Sequence, residues 1–126
     1  MSKKPKISLI DVTNRDGVQT SRICLSKLQK TMLNLYLDEM GVFQSEFGFP
    51  LTRHETNYLN ANLDLVEKGA LASIRLGGWL RATSDDVKKA FKLIPNLKHV
   101  NLSISTSDQM IVNKFKGKLD HASVIK

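Results

Sequence analysis

Lys6-Ile7-Ser8-Leu9-Ile10-Asp11-Val12 alternates apolar and polar residues and leads straight into Thr13-Asn14-Arg15-Asp16-Gly17-Val18-Gln19-Thr20. The first part has the two-residue period of a strand; the second is a loop dense in charge and amide around one glycine. A strand that stops in such a run places chemistry at its carboxyl end, where parallel α/β sheets and barrels bind their ligands. Arg15 brings a planar, permanently charged donor fork, Asp16 a hard oxygen ligand, and Gln19 a neutral donor and acceptor. Such a set suits an anionic, oxygen-rich substrate held on a divalent metal. The competing reading is an Asn/Asp/Gly turn with an incidental surface ion pair.

Outward from this stretch, strand and helix patterns alternate. Ser26 is placed to cap a helix whose apolar side carries Leu28, Met32 and Leu35, widened by Leu33, Tyr36, Leu37 and Met40, with Gly41 as its stop. Val42–Phe47 reads as a second strand turned off by Gly48-Phe49-Pro50. A helix from about Thr52 to Lys68 follows, with Leu59, Leu63 and Val66 at helical spacing and Gly69 at its end. Leu71–Leu76 reads as strand three, ending at Gly77-Gly78. Ser84 is the expected cap of a third helix, with Asp85 and Asp86 suited to its dipole and Pro95 closing it. Val100, Leu102 and Ile104 alternate with Asn101, Ser103 and Ser105 in strand four, and a fourth helix is expected from Thr106 or Ser107 to about Phe115.

Four β-α units demand parallel pairing and right-handed crossovers. Four are half of an eight-unit barrel, which typically needs ~250 residues. The expected fold is therefore α/β, four βα units of a parallel (β/α)8 TIM barrel, with residues 1–126 forming an amino-terminal half-barrel. A free-standing open sheet is the alternative, and it would leave strands one and four as uncovered edges.

Composition narrows the function. The 126 residues are 41% hydrophobic and 25% charged, ordinary for a soluble domain, and no apolar run is long enough for a membrane span. Met1-Ser2-Lys3-Lys4-Pro5-Lys6 is basic but has no cleavage pattern, so no secretory signal is read. Cys24 is the single cysteine, which favours a reducing, cytoplasmic compartment. The formal charge of +7 invites a nucleic-acid partner, yet the lysines are dispersed, with no aromatic platform or recognition motif. Most read as solvated helix faces, and some are candidates to meet a phosphorylated ligand.

Thr13–Gln19 resembles the signature of the homocitrate synthase, 2-isopropylmalate synthase and 3-hydroxy-3-methylglutaryl-CoA lyase superfamily, usually Thr-Leu-Arg-Asp-Gly-Glu-Gln after an aspartate. Glu46-Phe47-Gly48-Phe49-Pro50 resembles the Glu-x-Gly-x-Pro end of its second strand, and Ser105-Thr106-Ser107 the Thr-Ser end of its fourth. The resemblance implies condensation of acetyl-CoA with a 2-oxo acid on a divalent metal (Mg, Mn or Zn), in amino-acid biosynthesis. It implies Asp16 as a metal ligand, Arg15 as stabiliser of developing oxygen charge, and Glu46 in substrate orientation or proton handling. It further implies Gln19, Arg81, Thr106 and Ser107 as substrate-binding residues, although helix capping by itself explains Thr106 and Ser107.

Departures shape the expectation. Val18 stands where the synthases usually carry Glu, which also resembles the lyase branch, while Glu46–Pro50 is synthase-like. Asp108-Gln109-Met110 follows the strand-four motif where isopropylmalate synthases tend to place a histidine, tilting the reading toward homocitrate or related citrate-forming synthases, with a homocitrate synthase-like acyltransferase as the leading expectation. The family's late His-x-His pair has no counterpart in His54, His99 and His121. The chain alone is therefore expected to bind metal weakly or not at all and to be inactive. The rivals are a carbon–carbon lyase like the 3-hydroxy-3-methylglutaryl-CoA enzyme, and a non-catalytic half-barrel that associates with itself or with a complementary half.

Overall fold

The computed structural model describes residues 5–125. One parallel sheet holds four strands in sequential order: β1 (Ile10–Asp11), β2 (Gln44–Gly48), β3 (Arg75–Arg81) and β4 (His99–Ser103). Between them run α1 (Lys27–Glu39), α2 (Arg53–Glu67) and α3 (Ser84–Leu93), and α4 (Asp108–Phe115) and α5 (His121–Ile125) follow β4. Parallel neighbours joined by helices in sequence order are the winding of a barrel, and the chain is an α/β half-barrel of this type.

Local chemistry explains the element ends. The Ser26 side chain accepts from the Gln29 N–H while the Gln29 side chain takes the Ser26 N–H, a reciprocal box that starts α1. Gly41 and Gly69 end α1 and α2 at φ +73° and +75°, in the left-handed region where a Cβ is strained. The cap of α3 is Thr83 rather than the expected Ser84: its hydroxyl accepts from the Asp86 N–H at 3.3 Å, and Ser84 becomes the first helical residue. Ser107 caps α4.

All four strands differ in their bounds from the sequence expectation: β2 starts later and takes in Gly48, β4 starts at His99 and stops at Ser103, and strands one and three differ more. Strand one is only Ile10–Asp11, because β2 offers partners from Gln44 onward and Ile7 and Leu9 are left exposed. Strand three is Arg75–Arg81, not Leu71–Leu76. Asp38, near the end of α1, accepts the backbone N–H groups of Ala72, Ser73 and Ile74 at 2.7–2.9 Å, so those donors are taken and cannot join a ladder. Leu71 and Ile74 still reach the core, but from a loop. β3 instead runs through Gly77 and Gly78, which are there for space. A Cβ on Gly78 would lie 2.9 Å from Pro50 Cγ, and one on Gly77 would lie 2.7 Å from Gln44 Nε2.

The two faces of the sheet differ in chemistry. On one, α1 and α2 pack down, with Phe47, Tyr58, Leu59, Leu63, Leu76 and Ile94 within the buried core. Threaded through it is an amide network centred on Asn34, which donates to Tyr58 Oη (3.1 Å) and Asn62 Oδ1 (2.9 Å) and accepts from Asn14 Nδ2 (2.8 Å) and Ser45 Oγ (3.0 Å). Burial drives the Tyr58 hydroxyl well above the usual phenol range; the Asn34 bond opposes this and nearby Glu55 adds to it. The side chains that alternate to the opposite face include Gln44, Glu46, Trp79 and Asn101.

Candidate active site

The loop after β1 folds back on itself. Arg15, Asp16 and Gly17 all donate backbone N–H groups to the Val12 carbonyl, and a single 3-10 turn spans Gly17–Gln19. Asp11 holds the turn by accepting from both the N–H and the hydroxyl of Thr13. Neighbouring side chains then go opposite ways. Asn14 is fully buried beneath α1, donating to the Lys30 carbonyl and to Asn34. Arg15 turns over the end of the sheet.

There Arg15 meets two carboxylates. Its Nε donates to Glu46 Oε2 at 2.6 Å and its Nη1 to Asp16 Oδ1 at 2.9 Å. Its guanidinium carbon lies 4.9 Å from the centre of the Trp79 ring, and Trp79 in turn packs on Phe49. Glu46 is 4% exposed, and both its oxygens are engaged, because Oε1 accepts from Asn101 Nδ2 at 2.8 Å. The Asp16 side chain is 59% exposed. Arg15, Gln19, Asn14, Phe49, Thr52 and Trp79 border a cleft of about 330 Å3 at this end of the sheet.

The Glu46–Pro50 turn is braced from behind. Glu55 of α2 accepts from the Phe49 N–H (2.9 Å) and from Lys30 Nζ (2.7 Å), and Lys30 also lies 4.6 Å from the Tyr58 ring centre. A Cβ on Gly48 would sit 2.4 Å from Glu55 Oε2, so the glycine of the motif makes room for the brace.

Of the residues singled out in the sequence, Arg15, Asp16 and Glu46 form one cluster, and Gln19 borders the same cleft. Arg81 ends β3 and gives its Nε and Nη2 to Asp86 at 2.6 and 2.8 Å. The hydrogen bond with Asp86, reinforced by opposite charge, raises the Arg81 pKa, and the same bond lowers that of Asp86. Ser107 is engaged as the α4 cap, and Thr106 is exposed beside it, beyond the carboxyl end of β4. Gln44, Trp79 and Asn101 were not singled out. They sit on strands with no local motif, and only the alternation of β4, which puts Asn101 on the face opposite Val100 and Leu102, hinted at any of them.

A metal centre is not assembled by these residues. Asp16 is a hard oxygen donor at the cleft end, but both Glu46 oxygens are committed. Among the described residues no three His, Cys, Asp or Glu side chains converge, whereas magnesium prefers six ligands. Among the described residues, no helix is long and apolar enough to cross a membrane.

The HMGL-like family matches residues 6–126. The chain belongs to the HMGL-like family. It is 60% identical over 121 residues to a citrate (Re)-synthase of Dehalococcoides mccartyi, covering 96% of this chain and 29% of that protein. It is 34% identical to a 2-isopropylmalate synthase 2 of Caldanaerobacter subterraneus, covering 90% of the chain and 28% of the relative. Homocitrate synthase AksA of Methanocaldococcus jannaschii is 32% identical, with 89% and 26% covered. The chain thus spans less than a third of the length of these curated relatives, and they are synthases of the family that its strand-end motifs resemble.

Proposed function

We propose that this chain supplies the first four βα units, and part of the active site, of a synthase that condenses acetyl-CoA with a 2-oxo acid to give citrate. The observation that carries this is the Arg15–Glu46–Asp16 cluster at the carboxyl end of the sheet, in a chain 60% identical to a citrate (Re)-synthase. A product with citrate's carbon skeleton requires oxaloacetate as the acceptor. The acetyl methyl carbon loses a proton and bonds to the ketone carbon, and water then cleaves the thioester to release CoA.

In that reaction the ketone oxygen gains negative charge as the carbon–carbon bond forms. Arg15 meets that need with a permanent charge held in place before reaction by Glu46, Asp16 and the Trp79 face. Glu46 sets the fork's direction through Nε and is the carboxylate of the cluster suited to proton handling. Gln19 and the Phe49–Trp79 pair line the cleft as orienting polar and apolar walls. Asp16, the exposed carboxylate, is proposed as one ligand of a divalent metal whose other ligands are not among the described residues.

The test is product analysis with the full-length protein, labelled acetyl-CoA, and oxaloacetate, 2-oxoglutarate or 2-oxoisovalerate in turn. Citrate from oxaloacetate is the expected outcome. CoA release with only one of the other two acids would refute the citrate assignment, and release with none would refute the synthase reading.

A further inference from the structure

β2 and β4 are not neighbours, since β3 lies between them, yet their side chains bond directly. Gln44 Nε2 donates to Asn101 Oδ1 at 3.1 Å, and Asn101 Nδ2 donates to Glu46 Oε1 at 2.8 Å. The register shows how. Gln44 is level with Arg75, Glu46 with Gly77, and Asn101 with Trp79, so the Gln44–Asn101 contact crosses β3 at Gly77. Any larger residue would close that passage, because a Cβ there would stand 2.7 Å from Gln44 Nε2. Gln44 also determines which way the Asn101 amide points: by donating to its oxygen, it turns the NH2 group toward Glu46.

The geometry points to Asn101 as a positioning residue for the reaction, orienting Glu46 and through it the Arg15 fork by way of a Gln44–Asn101 amide bridge that Gly77 admits. This rests on the assignment of Arg15 and Glu46 to the condensation. Glu46 is held at one oxygen by Arg15 and at the other by Asn101, so loss of the amide releases one of its two anchors. The carboxylate can then rotate, and the guanidinium with it. Once its Nε partner moves, Arg15 keeps only the Trp79 face and, at Nη1, the largely exposed Asp16.

The experiment uses the full-length protein carrying Asn101→Ala, Gly77→Ala, Glu46→Gln and the Asn101→Ala/Glu46→Gln pair, each checked for an unchanged thermal transition. Asn101→Ala is expected to lower kcat about 10- to 100-fold, the worth of one hydrogen bond to a charged group, with both KM values held. Gly77→Ala, which removes no polar group and displaces only the end of a flexible side chain, is expected to lower kcat in the same way. In the Glu46→Gln background Asn101→Ala should add nothing, since it acts through Glu46. Independent multiplication of the two effects, or a change in KM alone, overturns the inference. So does an unaltered Asn101→Ala enzyme beside a disabled Glu46→Gln enzyme. An unaltered Glu46→Gln enzyme overturns the role of Glu46 itself, and the inference falls with it. A second readout needs no turnover: the side-chain Nε–H resonance of Arg15 in 15N-labelled protein, identified by its loss in Arg15→Lys. It should move in Asn101→Ala and in Gly77→Ala; a resonance unmoved in both overturns the bridge.

Discussion

Asn14 and Arg15 are adjacent in sequence and both border the cleft, yet they serve two polar networks, Asn14 the one beneath the helices and Arg15 the one across the end of the sheet. The Asn14 side joins Asn34, Asn62, Tyr58 and Ser45, all neutral, all buried and bonded to one another beneath the helices. The Arg15 side joins Glu46, Asp16, Asn101 and Gln44, carries charge, and borders a cleft. The contrast separates polarity that specifies a fold from polarity that is available to a substrate. The neutral network, in which Asn14 Oδ1 is, among the described residues, the one buried side-chain atom left without a partner, spends its hydrogen bonds on register, whereas the charged one with an exposed member keeps donors for a ligand.

The comparison breaks most sharply if the two networks are disabled in turn. On the proposed condensation, Arg15→Ala in the full-length enzyme should lower kcat/KM by at least ~100-fold, comparable to losing a preorganised donor to a developing oxyanion. It also strips the buried Glu46 carboxylate of its charged partner, so the readout is the activity of the folded fraction. On the proposed roles, with Asp16 as a metal ligand, Arg15→Lys should lower turnover much more than metal affinity, because it retains charge but loses the fork that bridges Glu46 and Asp16. Equal losses in both would undo the division of roles between Arg15 and Asp16.

Asn34→Leu should do the reverse. It removes four buried hydrogen bonds and orphans their partners, so it should cost about 3 kcal/mol or more in urea unfolding. Any folded fraction should keep near-normal KM values; a folded variant with lost substrate binding would show that the networks are not separate. Gly48→Ala should cost about 1–3 kcal/mol, because its Cβ intrudes on Glu55 Oε2 and on Leu59 Cδ2, 2.9 Å away. Glu55→Gln should lessen that penalty if the carboxylate is the obstacle.

The smallest expected effect is on pH dependence. For Asp38, burial acts to raise the pKa, but hydrogen bonds from Ala72, Ser73 and Ile74 outweigh it and bring the carboxyl from 3.8 to about 2. A pKa lowered by folding stabilises the native state above 3.8, and that contribution is lost as pH falls toward about 2. Wild type should therefore lose its stability advantage over Asp38→Asn across this interval. A difference between them that does not change with pH would show that the latch on residues 72–74 does not depend on ionisation.

Much of this was legible locally. Alternation and helical spacing placed all four β-α units, Ser26, Gly41 and Gly69 marked real helix ends, and the Asp11–Gln19 run announced a charged loop at a strand end. Where local reading erred, a distant partner was responsible. Leu71–Leu76 has the look of a strand, but Asp38, more than thirty residues earlier, takes the N–H groups a ladder would need. Gly77-Gly78 has the look of a terminator, but the glycines lie within β3 because Gln44 and Pro50 occupy the space of their side chains.

By itself the sequence determined the order and type of the four β-α units, though not the 3-10 turn at Gly17–Gln19 or α5, together with the parallel winding those units impose and the chemical character of the loop after β1, since these depend on periods and caps within about ten residues. Only the tertiary structure decided that Arg15 bridges Asp16 and Glu46, that Trp79 lies against it, and that Gln44 and Asn101 meet across β3. Those contacts depend on strand register and on the space above a glycine. Gln44 and Asn101 stand 57 residues apart in the chain, where no local period carries information.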